Sequence, residues 1–166
     1  HFPTSQIVNV RDKLFMIDCG EGAQLQFRKS HLKFSRLNHI FISHLHGDHC
    51  FGLLGLVSTL NLLGRTAELH IHSPKGLRDL LVPMFEFFNK QMTYQVLFHE
   101  FDAKEPIQIY EDRSLTVTTI PLRHRMPCCG FLFAEKQRPN HIIREMIDFY
   151  QVPVYELNRI KNGADY

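Results

Sequence analysis

The stretch His39-Ile40-Phe41-Ile42-Ser43-His44-Leu45-His46-Gly47-Asp48-His49 decides the fold. Its first five residues have the apolar density of a buried strand. A polar loop follows and leads directly into His49–Leu63, the best helix candidate in the chain, closed by Gly64 as a C-terminal stop. In an extended segment residues i and i+2 point the same way, so His44 and His46 present both imidazoles to one ion. Gly47 lets the backbone turn. Asp48 and His49 then face another side, offering one carboxylate oxygen and one nitrogen. Two nitrogens one way and an oxygen–nitrogen pair the other suit two neighbouring metal ions. Imidazole with carboxylate favours zinc, with manganese or iron as alternatives. A lone histidine at a strand end is usually an ordinary core residue. Three histidines and an aspartate at the mouth of a buried strand are costly to desolvate without partners, and metal ligation supplies them.

Outward from this loop, short strands alternate with helical stretches. Upstream, Ser5–Val10 and Leu14–Asp18 read as a hairpin, Gly20-Glu21-Gly22 breaks the chain, and Ala23–Lys29 forms a short helix. Downstream the pattern predicts a strand at Glu68–His72, a helix pair broken by Pro83 and a strand at Tyr94–Phe101. A hairpin at Ile107–Tyr110 and Leu115–Ile120, a strand at Gly130–Ala134 and a helix at Asn140–Tyr150 follow. The last sixteen residues show neither period. Strands interleaved with helices indicate an α/β layered domain. One composition shift, after Ala134, marks the only candidate boundary.

The chain has 166 residues, 44% hydrophobic and 22% charged, which fits one globular domain and excludes a disordered tail, a fibre or a coiled coil. No apolar run approaches the ~20 residues of a membrane helix. The start at His1, without methionine or leader, reads as an excerpt of a longer frame. Net charge is only +2, but residues 121–144 carry Arg123, Arg125, Lys136, Arg138 and Arg144 against the single acid Glu135. Such a tract suits either a phosphate-facing surface or a solvated charged face. Cys19, Cys50, Cys128 and Cys129 contain no Cys-x-x-Cys pair, so they read as buried thiols in a reducing, cytoplasmic setting.

Eleven histidines are unusual for this length, and clustering is the question they raise. His124, between two strands in Pro121-Leu122-Arg123-His124-Arg125-Met126-Pro127, is placed to reach the metal edge, though spacing alone favours an ordinary loop histidine. His70 and His72 read as one polar face of a strand. His1, His31, His39, His99 and His141 stand singly and read as surface or satisfied positions.

Asp18-Cys19-Gly20-Glu21-Gly22-Ala23-Gln24, Ile42–His49 and Gly52-Leu53-Leu54-Gly55-Leu56 together resemble the ribonuclease Z family of the metallo-β-lactamase superfamily, endonucleases that trim the 3′ end of precursor tRNA. His-x-His-x-Asp-His marks the superfamily. The Asp-Cys-Gly-Glu-Gly run, the Gly-Leu-x-Gly-Leu helix and Pro121-Leu122-x-His124 with Gly130-Phe131 narrow it to the family.

The resemblance implies a metallo-β-lactamase fold, an αββα four-layer sandwich, present as its N-terminal half to two-thirds. Residues 1–134 match the N-terminal part of that domain. Residues 135–166 match the start of a protruding tRNA-binding arm, although the Gly-Pro tip expected near Val152-Pro153-Val154-Tyr155 is absent. By the same resemblance His44, His46 and His124 hold one zinc, Asp48 and His49 hold a second, and Asp48 also takes a proton from the attacking water. Asp18 supports the metal loop. Arg123, Arg125, Arg159 and Lys161 contact RNA, the partner is precursor tRNA, and the assembly is a homodimer. No residue here matches the family's metal-bridging aspartate, its further zinc histidine, or the histidine and glutamate near its leaving group. The rival readings are another hydrolase of the superfamily (phosphodiesterase, sulfatase or thioesterase), a non-catalytic half that binds RNA or a partner, and a structural zinc domain. An open histidine–aspartate set disfavours the last, since structural zinc sites are closed and cysteine-rich.

Overall fold

A computed structural model describes residues 3–137 and 140–166, so His1 and Arg138 lie outside the described residues. The chain divides into two compact units, with the division between Ala134 and Glu135.

In the first unit, strand β1 (Gln6–Val10) pairs antiparallel with β2 (Lys13–Ile17). Arg11 and Asp12 at the turn both have positive φ, 51° and 65°, the geometry of a tight hairpin that matches strand twist. β2 then runs parallel to β3 (Leu37–Phe41), β3 to β4 (Leu69–Pro74) and β4 to β5 (Val96–Phe101), giving a five-stranded sheet in the order β1-β2-β3-β4-β5. Helix α1 (Ala23–Lys29) crosses between β2 and β3. A single turn α2 (Gly47–Cys50) and helix α3 (Gly52–Leu62) cross between β3 and β4, and α4 (Leu77–Phe88) crosses between β4 and β5. A second sheet follows: β6 (Gln108–Glu111), β7 (Leu115–Leu122) and β8 (Cys128–Glu135), with β6 and β7 antiparallel.

Alternation along the first sheet sorts its two faces. Leu14, Met16, Ile40, Ile42, Leu69 and Ile71 pack under the helices with Leu53, Leu56, Val57, Leu60, Leu77, Leu81 and Phe85. Phe15 and Phe41 point the other way and meet Leu115 and Val117 of the second sheet. Pairing of β2 with β3 skips Asn38, since Leu14 faces Leu37 while Phe15 faces His39. Leu37 and Ile40 therefore share a face despite their odd spacing. Arg65 is buried at this corner and donates to the carbonyls of Leu37, Ala67 and Glu68 and to Asn38 Oδ1, which fixes the irregularity. The layers so formed, helices on a sheet on a second sheet, belong to the α/β architecture expected.

Several boundaries differ from the sequence reading. Pro83 does not split a helix pair: α4 runs through it. Both Pro83 and Asp79, whose carbonyl loses its donor, are on the exposed side, where water replaces the missing bond. The helix expected from His49 begins two residues earlier as α2 and is stepped at Phe51 before α3. In the second unit the helix is shorter than expected, α5 (Arg144–Phe149), and the aperiodic tail holds a 3₁₀ turn at Val154–Glu156 and a short α6 (Leu157–Lys161). The Asn140 N–H donates to Lys161 O and closes this unit on itself. Among the described residues no helix is long and apolar enough to cross a membrane.

Two histidines read as single, His39 and His99, join the polar face of His70 and His72. His39 on β3, His70 and His72 on β4 and His99 on β5 gather on the sheet face that meets Tyr110 of β6. His39 stacks on His70 and His72 on His99, each with centroids 4.7 Å apart. His39 Nδ1 lies 3.2 Å from His72 Nε2, and His70 Nδ1 lies 2.9 Å from His99 Nε2. Their centroid separations, 5.5 and 5.2 Å, exceed the nitrogen separations by 2.3 Å in both pairs, the sum of two imidazole ring radii. The facing nitrogens therefore lie on the line between the rings, the geometry of an N–H···N hydrogen bond. Burial, reinforced by the neighbouring imidazoles, lowers the pKa of His39 to about 4 and of His72 to about 3.

Unfolded, these histidines take up protons below about pH 6.5; folded, they do so only near 4 and 3. Their contribution to stability is thus complete above pH 6.5 and is lost as pH falls through the folded values. We expect His72→Leu to flatten the loss of the urea midpoint between pH 6.5 and pH 4 relative to wild type. Parallel midpoint curves for the two proteins would refute the assignment.

Candidate metal centre

Asp18 ends β2 in the left-handed region, φ 57°, and is 3% exposed. For a residue with a Cβ that conformation is strained by ~1–2 kcal/mol, and it turns the carboxylate onto the segment after β3. Asp18 Oδ1 accepts the Ser43 N–H at 2.8 Å; Oδ2 accepts Ser43 Oγ–H at 2.9 Å and His49 Nδ1–H at 2.8 Å. A carboxylate only accepts, so His49 must carry its proton on Nδ1, and its Nε2 lone pair is free. The same logic runs through Ser43. Its hydroxyl proton is committed to Asp18, so its oxygen accepts from His44 Nδ1 at 3.0 Å. His44 Nε2 is left unprotonated. One carboxylate thus fixes the tautomers of two histidines, directly and through a hydroxyl.

Ring nitrogens of three histidines converge. His44 Nε2 and His46 Nδ1 are 3.1 Å apart, and His124 Nε2 is 3.4 Å from His46 Nδ1. Donor atoms of these three residues all lie within 4.8 Å of one another. Centroid separations of 4.7 and 5.1 Å exceed the nitrogen distances by only 1.6 and 1.7 Å. The rings are therefore bent toward a common point, not aimed at each other as in the β3–β5 stack. Three bent imidazoles, with the proton position of His44 set from behind, form a donor set suited to a divalent ion with an open position. Burial, then the neighbouring His49, His46 and His124, lowers the pKa of His44 and keeps it in the neutral form that ligates.

Beside this trio, His49 Nε2 and Asp48 Oδ2 lie 3.6 Å apart, with the Asp48 side chain 66% exposed. The His44 and His49 rings are 4.0 Å apart. His124 reaches the centre from the loop between β7 and β8 because β8 is tethered there, with Cys129 N–H donating to Ser43 O at 3.1 Å. The motif loops also interlock. Cys19 N–H donates to His49 O and Gly52 N–H to Cys19 O. A Cβ on Gly52 would stand 2.0 Å from Gly20 O. Only glycine permits that approach.

The structure brings Asp18, His44, His46, Asp48, His49 and His124 to one place. Arg123 and Arg125 flank His124 on an exposed loop. Arg159, in the second unit, is paired with Glu156 at 2.7 Å, and Lys161 is exposed on α6. Sequence reading missed Ser43. Its only signal was a hydroxyl immediately before the first ligand.

The sequence profile of one family, described as "Anti-Pycsar protein Apyc1", matches residues 1–138. The chain belongs to that family. Along all of its residues it is 78% identical to a protein of Bacteroides fragilis named Ribonuclease Z, of which it covers 55%. The chain thus spans about half the length of the curated relatives it matches. The crystal structure of human tRNase Z, short form, is similar at TM-score 0.73 and 27% identity, over 89% of this chain and 69% of that one. The metallo-β-lactamase fold protein YhfI from Bacillus subtilis is similar in fold at TM-score 0.57 and 15% identity, over 90% and 60%. The motif resemblance to ribonuclease Z and the metallo-β-lactamase fold are both borne out.

Asp18→Asn keeps one acceptor but loses the charge and the pair of bonds that set both tautomers. It is expected to weaken binding of a divalent transition ion ~10–100-fold, the usual scale for a carboxylate behind a ligating histidine. Competition against a chromophoric chelator measures it, and wild-type affinity in the variant would refute the role.

Proposed function

We propose that this chain carries the metal-binding part of a zinc-dependent endoribonuclease that hydrolyses one phosphodiester of precursor tRNA and so removes its 3′ trailer. The observation that carries the reading is the bent convergence of His44, His46 and His124 beside the Asp48–His49 pair, in a chain 78% identical to a protein named Ribonuclease Z. His44, His46 and His124 hold one ion, and Asp48 with His49 contributes to a second; zinc suits the nitrogen-rich set, with manganese or iron as substitutes. Bound ions of this kind polarise a phosphoryl oxygen and acidify the attacking water. Asp48, exposed at the mouth, takes the proton from that water. Asp18 and Ser43 hold His44 and His49 in the ligating tautomers while the substrate is exchanged.

Precursor tRNA is the partner. Arg123 and Arg125 beside the centre contact its backbone. Residues 135–166 begin an arm that recognises tRNA shape, with Lys161 and, once released from Glu156, Arg159 on RNA. The whole protein acts in the cytoplasm, a reading supported by the free thiols, and as a homodimer, supported by the exposed apolar Leu80, Phe87 and Phe88 along α4.

In the full-length protein His46→Ala is expected to abolish trimming, and Asp48→Ala to lower kcat at least a hundredfold with little change in affinity for precursor tRNA. Steady-state kinetics with a gel-shift titration separate the two effects. Lost affinity with near-normal kcat would reverse the role of Asp48. Hydrolysis of a small phosphodiester without trimming of precursor tRNA would favour a hydrolase of the same fold with another substrate.

The 166-residue chain alone is expected to bind one zinc firmly and to leave precursor tRNA intact, since three nitrogens complete a tetrahedral site with water whereas Asp48 and His49 alone compete poorly with solvent. Two zinc ions per chain by metal analysis, or trimming by the chain alone, would refute this.

A further inference from the structure

The loop that carries His124 has a second face. With Ala103 and Lys104, which follow β5, it encloses an open cleft of about 410 Å³. That size lies in the ~300–1,000 Å³ range of small-ligand pockets. Leu122, Met126 and Pro127 give it an apolar wall, and Lys104, Arg123 and Arg125 line it with charge. Among the described residues no carboxylate lines it. Lys104 uses its backbone N–H on Asp102, but its ammonium and the two guanidinium groups have no hydrogen-bond or ion-pair partner among the described residues. Three unpaired cations from two different loops repel one another in the free chain, and an anion between them relieves that repulsion. The cleft also contains His124, so whatever anion it takes lies next to the candidate metal centre.

We propose that this cleft is the subsite for the nucleotide adjoining the scissile phosphate: Lys104, Arg123 and Arg125 neutralise the backbone phosphates on that side, and the apolar wall takes the ribose and base. The inference rests on the reading of the protein as an RNA endonuclease and extends it to Lys104, a residue with no motif around it. A small phosphate ester satisfies the metal centre alone, while an RNA chain fills both. The cations position the strand and act on binding through charge, independent of sequence.

The test uses the full-length protein, precursor tRNA and, as a substrate without flanking nucleotides, bis(p-nitrophenyl) phosphate. Each cation that meets a phosphate contributes ~0.7–0.9 to the slope of log affinity against log salt. The triple variant Lys104→Ala/Arg123→Ala/Arg125→Ala is expected to raise KM for precursor tRNA at least tenfold and to reduce that slope by about two to three. Its loss on precursor tRNA should exceed its loss on the small ester at least tenfold. Lys104→Ala alone, on the loop remote in sequence from His124, should lower the slope by just under one. An unchanged slope in a wild-type background that trims tRNA overturns the subsite, as does an equal loss on both substrates. A wild-type protein that hydrolyses the small ester and leaves precursor tRNA intact overturns the functional reading itself.

Discussion

Everything at the candidate centre hangs from one buried anion. The Asp18 carboxylate has left solvent, sits on a strained backbone, and is satisfied by Ser43 and His49. A buried charge without such partners is costly, so the segment after β3 is drawn to the end of β2 and held there. That one requirement fixes where His44 and His49 stand and which nitrogen each offers. The parallel register of β2 with β3 brings the two strand ends side by side. The sheet exists first as packing; its consequence at the edge is a set of aligned lone pairs.

The molecule uses histidine in two opposite ways within one unit. Between β3, β4 and β5 the imidazoles face each other in line in N–H···N pairs, and burial holds His39 and His72 neutral. At the strand ends they bend toward a common point, with their nitrogens grouped as a candidate donor set. Residue type alone does not distinguish these uses. The angle between rings and the line joining them does.

That difference explains what the sequence made legible. His44, His46, Asp48 and His49 are adjacent along the chain, so the period of an extended segment was enough to group them. The apolar density of β3 and the interleaving of strands with helices likewise announced a layered α/β domain. His70 and His72 share a face of β4, but His39 and His99 join them only across strands, through pairing registers that no local pattern contains. Ser43 was invisible because a hydroxyl acquires meaning only when Asp18 is opposite it. Pro83 misled for a related reason. Its penalty depends on whether the orphaned carbonyl is wet, and exposure is a tertiary fact.

The contact of Gly52 with the Gly20 carbonyl bears on how such a chain can change over time. The backbones of the Asp-Cys-Gly-Glu-Gly loop and of the start of α3 touch with no side chain between them. Neither loop can drift alone, because a methyl group on the helix strikes the peptide of the loop and no rotamer can absorb the collision. The two motifs are therefore a single heritable piece written in two places, and a recombinant whose incoming segment carries a side chain at position 52 inherits a collision beneath the candidate metal centre.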